Sequence, residues 1–400
     1  MKTPLVSIII VMAFSTVFAQ NKNKHTVPKI ITLTLKLDKK NDVVVTPAKL
    51  KYDKHLAYSF TVDDGYRSAY ACAYPLFNGG TISPPLPDEW QNDQGGDGTY
   101  SEGLFFSDGC NNKIPFKLSL AINAGALTAT PANRGHMSWP EVKQLYEAGW
   151  DLLNHGHYHR TKHGTNFHVE VIDNTNSVKK QLDFTMSQFV VPGGESDPGY
   201  EHEYEKYAFG EHHFAVASYK GAGPLITVDK AVNLDQMIYA RHFLQNGKED
   251  HDLQLSKTNL VTLDSIMKLP QPIWYNEFTH GVGNSNLWGL SMFFPEFKYY
   301  MTSIANKYGI KGSDNIWMAP WQEVYEYIWL RDRVKVNYKQ KGKDILVTLE
   351  VPQIPESFRY RTISLKVDSA SNFETTTDSA SLHITTDGKT THKLINIVMN

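Results

Sequence analysis

Residues 56–65 read Leu-Ala-Tyr-Ser-Phe-Thr-Val-Asp-Asp-Gly. The apolar and β-branched run predicts a buried strand that ends at Asp63 and Asp64, so two carboxylates stand at its carboxyl end. Such a pair permits a division of labour in which one carboxylate ligates a cation while its neighbour abstracts a proton. The same residues also fit a plain Asp-Gly turn whose aspartate caps the next helix. Motifs elsewhere in the chain distinguish between these two interpretations.

A histidine-rich segment follows a second predicted strand. Residues 150–154 are typical of a short strand, and 154–159 continue as Asn-His-Gly-His-Tyr-His. His155 and His159 stand four residues apart, one helical turn, and can direct two imidazoles at one cation that accepts nitrogen and oxygen ligands, zinc first. His157 lies between them and is expected to point away. The alternative is a polar surface loop that happens to be rich in histidine.

A third polar position follows the apolar strand predicted over 273–278, where His280 precedes Gly281. A single histidine of this kind is also common as a structural residue. The carboxylate pair, the histidine pair and His280 each lie at the carboxyl end of a predicted strand, and those ends converge in a parallel α/β barrel. We therefore expect one site that contains all three.

Further elements surround this arrangement. The sequence predicts a leading hairpin over 30–45, a helix over 66–74 stopped by Pro75, a helix from Ser138 to about Gly149, helical spacing over 172–188, a strand over 189–191 and a final helix over 321–331. Residues 78–115 are rich in Gly, Pro, Asp and Asn and indicate a long surface insertion. The alternation of strands and helices predicts a parallel α/β barrel or sheet.

The chain divides into three parts. Lys2, an apolar run over 5–18 and small residues near Ala19 are typical of an export signal with cleavage after Ala19, which predicts a secreted or periplasmic protein. Residues 20–331 form the α/β part. Residues 332–400 consist of short alternating segments and predict a small β-sandwich, for which bracing the barrel and binding glycan both stay open. No later segment approaches the roughly 20 apolar residues of a membrane helix.

Charge and cysteine content exclude some classes of partner and leave one question open. Forty basic and 42 acidic side chains give no electrostatic footprint for nucleic acid. Cys72 and Cys110 are the only cysteines. In an exported protein they fit either a disulfide or two buried thiols that pack as small apolar groups.

Three segments together resemble the signature motifs of the polysaccharide deacetylases, the NodB-homology domain of carbohydrate esterase family four. They are Tyr-Ser-Phe-Thr-Val-Asp-Asp-Gly over 58–65, Asp-Leu-Leu-Asn-His-Gly-His-Tyr-His over 151–159 and Phe-Thr-His-Gly over 278–281. The resemblance covers about residues 50–330. It implies a distorted, incomplete (β/α) barrel, followed here by the small C-terminal sandwich, and a substrate that is an acetylated polysaccharide or oligosaccharide.

The resemblance also implies a role for each residue of the expected site. Asp63 would be the general base and His280 the general acid. Asp64, His155 and His159 would hold a divalent metal ion, most simply Zn²⁺. These roles agree with the chemistry of a metal that activates water and polarises an acetyl carbonyl. They do not distinguish an acetyl group on nitrogen from one on oxygen.

The third motif of that family departs from the pattern here. An Arg normally precedes a Pro-rich turn and orients the base, but residues 189–194 read Phe-Val-Val-Pro-Gly-Gly. Either another cation substitutes, for which Arg241 is the candidate, or activity is weakened or altered. Two other functions stay open: a metal-dependent amidohydrolase acting on a small non-sugar amide, and a carbohydrate-binding protein without turnover.

Overall fold

The computed structural model describes residues 29–86, 95–130, 135–193, 198–211, 213–218, 223–229, 234–246, 251–284, 290–377, 379, 382–390 and 393–399. The predicted export signal at 1–19 lies outside these residues. Within them, no helix combines the length and the apolar character that a membrane crossing requires.

The strands in chain order are β1 Lys29–Leu37, β2 Val43–Pro47, β3 Leu56–Val62, β4 Gly80–Thr81, β5 Tyr100–Ser101, β6 Phe105–Ser107, β7 Lys113–Pro115, β8 Ser119–Ile122, β9 Asp151–Asn154, β10 Gln188–Val190, β11 Ala215–Ser218, β12 Leu225–Thr227, β13 Met237–Ala240, β14 His242–Phe243, β15 Ile273–Thr279, β16 Ile316–Met318, β17 Lys335–Lys341, β18 Asp344–Val351, β19 Thr362–Ser369, β20 Phe373–Thr377, β21 Leu382–Asp387 and β22 Leu394–Met399. The α-helices are α1 Tyr74–Asn78, α2 Trp139–Glu147, α3 Asn174–Leu182, α4 Pro198–Gly210, α5 Gln254–Ile266, α6 Phe294–Tyr308 and α7 Trp321–Arg331. A 3₁₀ turn covers Lys51–Asp53, and π-helical turns cover Ala69–Ala73 and His168–Asp173.

The main sheet curls into a distorted, incomplete barrel, as predicted. Parallel pairing runs β15-β3-β8-β9-β10-β11-β13, and β14 then pairs in parallel with β15. Only Arg241 separates β13 from β14, so the path of paired strands returns to its start. The path has seven strand positions, one fewer than a complete (β/α)₈ barrel. Every residue of β3 and of β15 is buried, which explains their almost continuous apolar and aromatic sequences.

The helix that follows the Asp-Asp-Gly turn differs from its prediction. The π-helical turn at Ala69–Ala73 leads directly into α1, and Pro75 lies in the first turn of α1 rather than ending a helix. A proline is tolerated there because the backbone N–H that it lacks has no intrahelical partner at that position. The prediction for α2 is confirmed: Ser138 and Glu141 form a capping box at its start. The predicted span of α7 is also confirmed.

Two four-stranded antiparallel sheets form the sandwich, in the orders β17-β18-β1-β20 and β2-β19-β22-β21. The predicted leading hairpin is wrong, because β1 pairs with β18 and β20 while β2 pairs with β19. The alternating apolar face of β1 is buried against the sandwich core through Ile31, Leu33 and Leu35. Strands from the segment assigned above to 20–331 therefore belong to sheets made mostly of C-terminal residues.

The insertion at 78–115 contains two small two-stranded antiparallel sheets, β4-β5 and β6-β7. Part of it is packed rather than a surface loop, since Phe106 is buried and Asp108 accepts a hydrogen bond from Thr385 of the sandwich. Cys72 lies in the core, whereas Cys110 Sγ lies 3.4 Å from Asn396 Nδ2. The two cysteines do not form a disulfide with each other.

The barrel and the sandwich are joined by buried polar contacts. Glu326 of α7 accepts hydrogen bonds from the backbone N–H groups of Arg359 and Tyr360. The Lys51 ammonium lies 2.7 Å from a carboxylate oxygen of Glu323, and both side chains are more than 90 % buried. These contacts favour the bracing interpretation of the sandwich.

Candidate functional site

The carboxyl ends of the barrel strands open into a cleft of about 510 Å³. Its polar lining includes the residues that the sequence singled out: Asp63, Asp64, His155, His159, Arg241 and His280. His157 is not among the residues that line it, in agreement with the expectation that it points away. The three predicted polar positions therefore share one rim of the barrel.

Asp64, His155 and His159 form a compact cluster of possible metal ligands. Asp64 Oδ1 lies 3.4 Å from His155 Nε2 and 3.5 Å from His159 Nε2. One ligand atom from each residue lies within 4.8 Å of the other two. One carboxylate oxygen and two imidazole nitrogens are a donor set that suits zinc and leaves a coordination position for water or substrate.

The backbone that carries this cluster is bent rather than helical. Asp64 and Gly65 have φ values of 68° and 70°, and Gly156 and His159 have values of 75° and 55°. The segment 155–161 has no helical hydrogen bonding, so a helical turn does not bring the two histidines together. Left-handed residues at both ends of the His155–His159 loop fold it back over the strand end. Non-glycine residues in this conformation cluster at functional sites.

The hydrogen bonds of His155 leave one ring nitrogen available for a metal. His155 Nδ1 lies 2.9 Å from the carbonyl oxygen of Val190, so the N–H of this tautomer donates there and the lone pair stands on Nε2. His155 Nε2 and Asp64 Oδ1 are both buried without a hydrogen-bond partner among the described residues. Buried polar atoms in proteins are nearly always partnered. Two unpartnered acceptor atoms that face each other therefore fit a cation between them.

The electrostatics of Asp64 agree with that fit. Burial on its own raises the pKa of Asp64, but the neighbouring imidazoles of His155 and His159 outweigh it. The net pKa lies well below the ordinary value for an aspartate. The carboxylate is therefore ionised, which is the form that ligates a metal ion.

A layer of buried polar side chains, which sequence reasoning missed, holds the histidine loop. Asn123 Nδ2 donates to the carbonyl oxygens of His155 and Gly156, the latter at 2.8 Å. Glu170 Oε2 accepts from the backbone N–H groups of Tyr158 at 3.1 Å and Arg160 at 3.3 Å. Asn123 follows β8 at the same rim, so its position after an apolar strand is a signal that could have identified it.

Asp63 faces the same cleft but has a different partner. Its two carboxylate oxygens accept hydrogen bonds from Arg241 Nη1 at 2.8 Å and Nη2 at 2.9 Å. The guanidinium carbon of Arg241 lies 4.0 Å from the ring centroid of Phe278, which packs against one face of the guanidinium group. Burial raises the pKa of Asp63, but Arg241 and His155 outweigh it, so the net pKa is lowered. Arg241 thus holds the carboxylate in one orientation and in its ionised form.

His280 stands at the end of β15, the parallel neighbour of β3. Its Nδ1 lies 3.1 Å from the carbonyl oxygen of Leu290, which sets the orientation of the ring. The ring also contacts Phe243, with ring centroids 5.2 Å apart. The structure therefore brings His280 into the cleft with Asp63, as the order of motifs predicted.

Comparisons with known proteins gave matches among solved structures only. No protein-family profile matches the chain, and no curated protein matches it. A candidate polysaccharide deacetylase from Mycobacterium smegmatis is 11 % identical, with a TM-score of 0.40 over 73 % of this chain and 94 % of the other. The peptidoglycan deacetylase PdaC from Bacillus subtilis is 9 % identical, with a TM-score of 0.32 over 69 % and 92 % of the two chains. The deacetylase PplD from Streptococcus pyogenes, in complex with acetate, is 14 % identical, with a TM-score of 0.31 over 51 % and 68 %. Identity and TM-score are low in each case, and the chemistry of this chain is inferred from its own residues.

Proposed function

We propose that this protein is a metal-dependent hydrolase that removes acetyl groups, on nitrogen or on oxygen, from a polysaccharide. The observation that carries the proposal is the pair of unpartnered buried atoms, Asp64 Oδ1 and His155 Nε2, beside a second carboxylate held by an arginine. A turn whose aspartate only caps a helix requires neither two unpartnered buried acceptor atoms nor a second carboxylate paired with an arginine.

Asp64, His155 and His159 are the residues that would hold the metal. A divalent cation bound there, zinc first, supplies Lewis acidity toward an acyl carbonyl and lowers the pKa of a water molecule. Val190 fixes the His155 tautomer through its carbonyl oxygen, and Asn123 and Glu170 hold the loop that carries both histidines. Such supporting groups commonly change metal affinity by about 10- to 100-fold.

Asp63 is the proposed general base. Its carboxylate is ionised and oriented by Arg241, so it can accept the proton of an attacking water molecule through a lone pair that the arginine does not use. His280, at the end of the neighbouring strand β15, is the proposed general acid that returns a proton to the nitrogen or oxygen atom of the leaving sugar. A positioned acid or base contributes typically 10²- to 10⁴-fold to the rate.

The shape of the cleft favours a glycan over a small amide. No described residue of the insertion at 78–115 lines the cleft, so the described part of the insertion does not cap it. Tyr66 and His136 stack with ring centroids 4.9 Å apart on its wall, and Tyr158, which is 54 % exposed, stands at its rim. Flat aromatic surfaces beside an open cleft suit the apolar faces of sugar rings. Retention of Asp63 with its arginine partner argues against a binding protein without turnover, since binding requires no general base.

We also infer that the protein acts outside the cytoplasm. Residues 1–19 have the composition of an export signal, and an extracytoplasmic location would give the protein access to polysaccharide. Fusion of residues 1–25 to a reporter that is active only after export tests this part of the proposal; a reporter retained in the cytoplasm would contradict it.

The main test combines metal content with acetate release from a panel of N-acetylated and O-acetylated glycans. Asp64→Asn should lose both metal and activity, because it removes the charged ligand. Asp63→Asn should retain the metal and lose activity by at least about 10²-fold, as expected for loss of a general base.

A matched control is His157→Gln, which alters a histidine in the same loop that does not line the cleft. It should retain both metal and activity. Metal binding without acetate release from any glycan would favour the small-amide function, which a panel of acetylated amides then tests. Failure of the parent protein to bind any divalent metal would refute the proposal.

A further inference from the structure

We propose that Glu277 and His242 are positioning residues that hold Arg241, and through it Asp63, in the geometry described above. This inference rests on the proposed function, since Asp63 is the base only if that function is correct. Neither residue lines the cleft. Their contribution to the site is therefore indirect and acts through β14, which follows Arg241 directly, and through β15, with which β14 pairs.

Glu277 is a buried carboxylate surrounded by hydroxyl donors. It is 1 % exposed and accepts hydrogen bonds from Tyr58 of β3, from Tyr275 of β15 at 2.7 Å and from Tyr300 of α6 at 2.8 Å. These three residues come from the two central strands and from the helix that packs on them. The carboxylate is therefore fixed on several sides by groups that ordinarily stay neutral.

The fourth partner of Glu277 is His242, and this contact reaches the site. His242 Nδ1 lies 3.2 Å from Glu277 Oε1 and 3.0 Å from the hydroxyl of Tyr275. His242 is the first residue of β14 and the immediate neighbour of Arg241. The contact between His242 and Glu277 therefore fixes the chain one residue away from the arginine that holds the base.

The backbone pairing of the strand that follows Arg241 is short. β14 has two residues, and it pairs with β15 only at His242–Glu277 and Phe243–Phe278. Arg241 is the single residue between this pairing and that of β13 with β11. A side-chain anchor at the first residue of so short a strand limits how far the arginine can move, and a displacement of about 1 Å near a reacting group can reduce the rate about 10²-fold.

The energetics favour a specific role for Glu277 over a purely structural one. Burying a carboxylate is costly unless several hydrogen bonds compensate, and apolar side chains of similar volume often fill such a place with no loss of stability. Three tyrosine hydroxyls and one imidazole are assembled around Glu277, and the imidazole belongs to His242, the residue that follows Arg241. The hydrogen bonds around Glu277 are therefore better explained by a need to hold His242 and β14 in one position than by a contribution to stability.

The test uses His242→Ala and His242→Asn in the full chain. The His242 side chain is 43 % exposed, so neither change should prevent folding. Alanine removes the donor to Glu277, whereas asparagine places an amide N–H near the position of Nδ1. His242→Ala should lower kcat for acetate release about 10- to 100-fold with little change in KM, and His242→Asn should restore most of it.

A second readout does not depend on activity. The rate at which an arginine-directed dicarbonyl reagent modifies Arg241, followed by peptide mass spectrometry, should rise several-fold in His242→Ala and stay low in His242→Asn. Arg333, which pairs with Asp235 elsewhere, is the internal reference and should react equally in all variants. If the parent releases no acetate yet Arg241 becomes reactive in His242→Ala alone, the proposed function fails and the positioning role stands.

Glu296→Gln is the matched control, because Glu296 is also 1 % exposed and accepts a hydrogen bond from the backbone of Ser256, away from β14. It should leave both the reactivity of Arg241 and kcat at the parent level. Equal reactivity of Arg241 in His242→Ala and in the parent would overturn the inference. An equal rise in Glu296→Gln would also overturn it, since the effect would then be general loosening.

Discussion

Replacement of Arg241 by methionine should cost the protein about 3–5 kcal/mol of unfolding free energy, because it leaves the carboxylate of Asp63 buried without its partner. Both side chains of this pair are at most 6 % exposed, and two hydrogen bonds of 2.8 and 2.9 Å join them. Methionine fills much of the volume of the arginine, so cavity formation contributes little. The loss should therefore be mostly electrostatic.

A double-mutant cycle separates this electrostatic loss from other effects. Asp63→Asn removes the charge that Arg241→Met leaves unpaired, so the double variant should lose about 2–3 kcal/mol less than the sum of the two single losses. Urea unfolding followed by tryptophan fluorescence measures all four proteins. Arg333→Met is the control, since its pair with Asp235 is 33–41 % exposed and should contribute at most about 1 kcal/mol. Additive losses in the cycle would refute the description of Arg241 and Asp63 as a tightly coupled pair.

Three more predictions follow from the described geometry. Gly156→Ala should lower zinc affinity, measured by calorimetry, about 10- to 100-fold, because a Cβ at φ 75° would lie 2.6 Å from Glu170 Oε2. Gly164→Ala is the control and should not change the affinity, because Gly164 has φ 80° but open space around it. Burial raises the pKa of Asp151 to about 7 from 3.8, so its favourable contribution to folding is complete below pH 3.8 and is lost as pH rises to 7. Relative to Asp151→Asn, the parent should lose up to about 1.4 kcal/mol of unfolding free energy per pH unit across that window. A difference between the two proteins that does not change with pH would contradict this prediction. Lys51→Met should cost about 3–5 kcal/mol in urea unfolding by leaving Glu323 unpaired, and a loss below 1 kcal/mol would show that the pair is solvated.

The parts of the fold that the sequence predicted well are those that local chemistry determines. The start of α2 at Ser138 and the apolar run of β3 are complete within a few residues, so their pattern alone defines them. Strand partners are not local. The alternation in β1 identified a strand but not its neighbours, which lie more than 300 residues away in β18 and β20. The leading hairpin was wrong for that reason.

The same distinction applies to the candidate site. Asp64 was identified because it follows the apolar strand β3, and His155 and His159 because both follow β9, whose end meets that of β3 at one rim. The path of the loop between the histidines could not be predicted, since their spacing of four fits a helical turn as well as the observed bend. Glu170 was missed because its sequence neighbourhood gives no sign that it accepts from two backbone N–H groups of the loop 12 and 10 residues before it.

Arg241 provides the cation beside Asp63 from a different place in the sequence than the motif arginine of the family. A buried base requires a cation to keep its carboxylate ionised, and planar guanidinium hydrogen bonding also fixes its orientation. Only the position of the guanidinium group beside the carboxylate matters, so an arginine near the end of any strand that reaches the rim can provide it. Here Arg241, the residue between β13 and β14, pairs with Asp63, although 189–194 contains no arginine. Loss of a motif arginine in such a barrel therefore does not by itself imply loss of catalysis; the deciding observation is whether another guanidinium reaches the base.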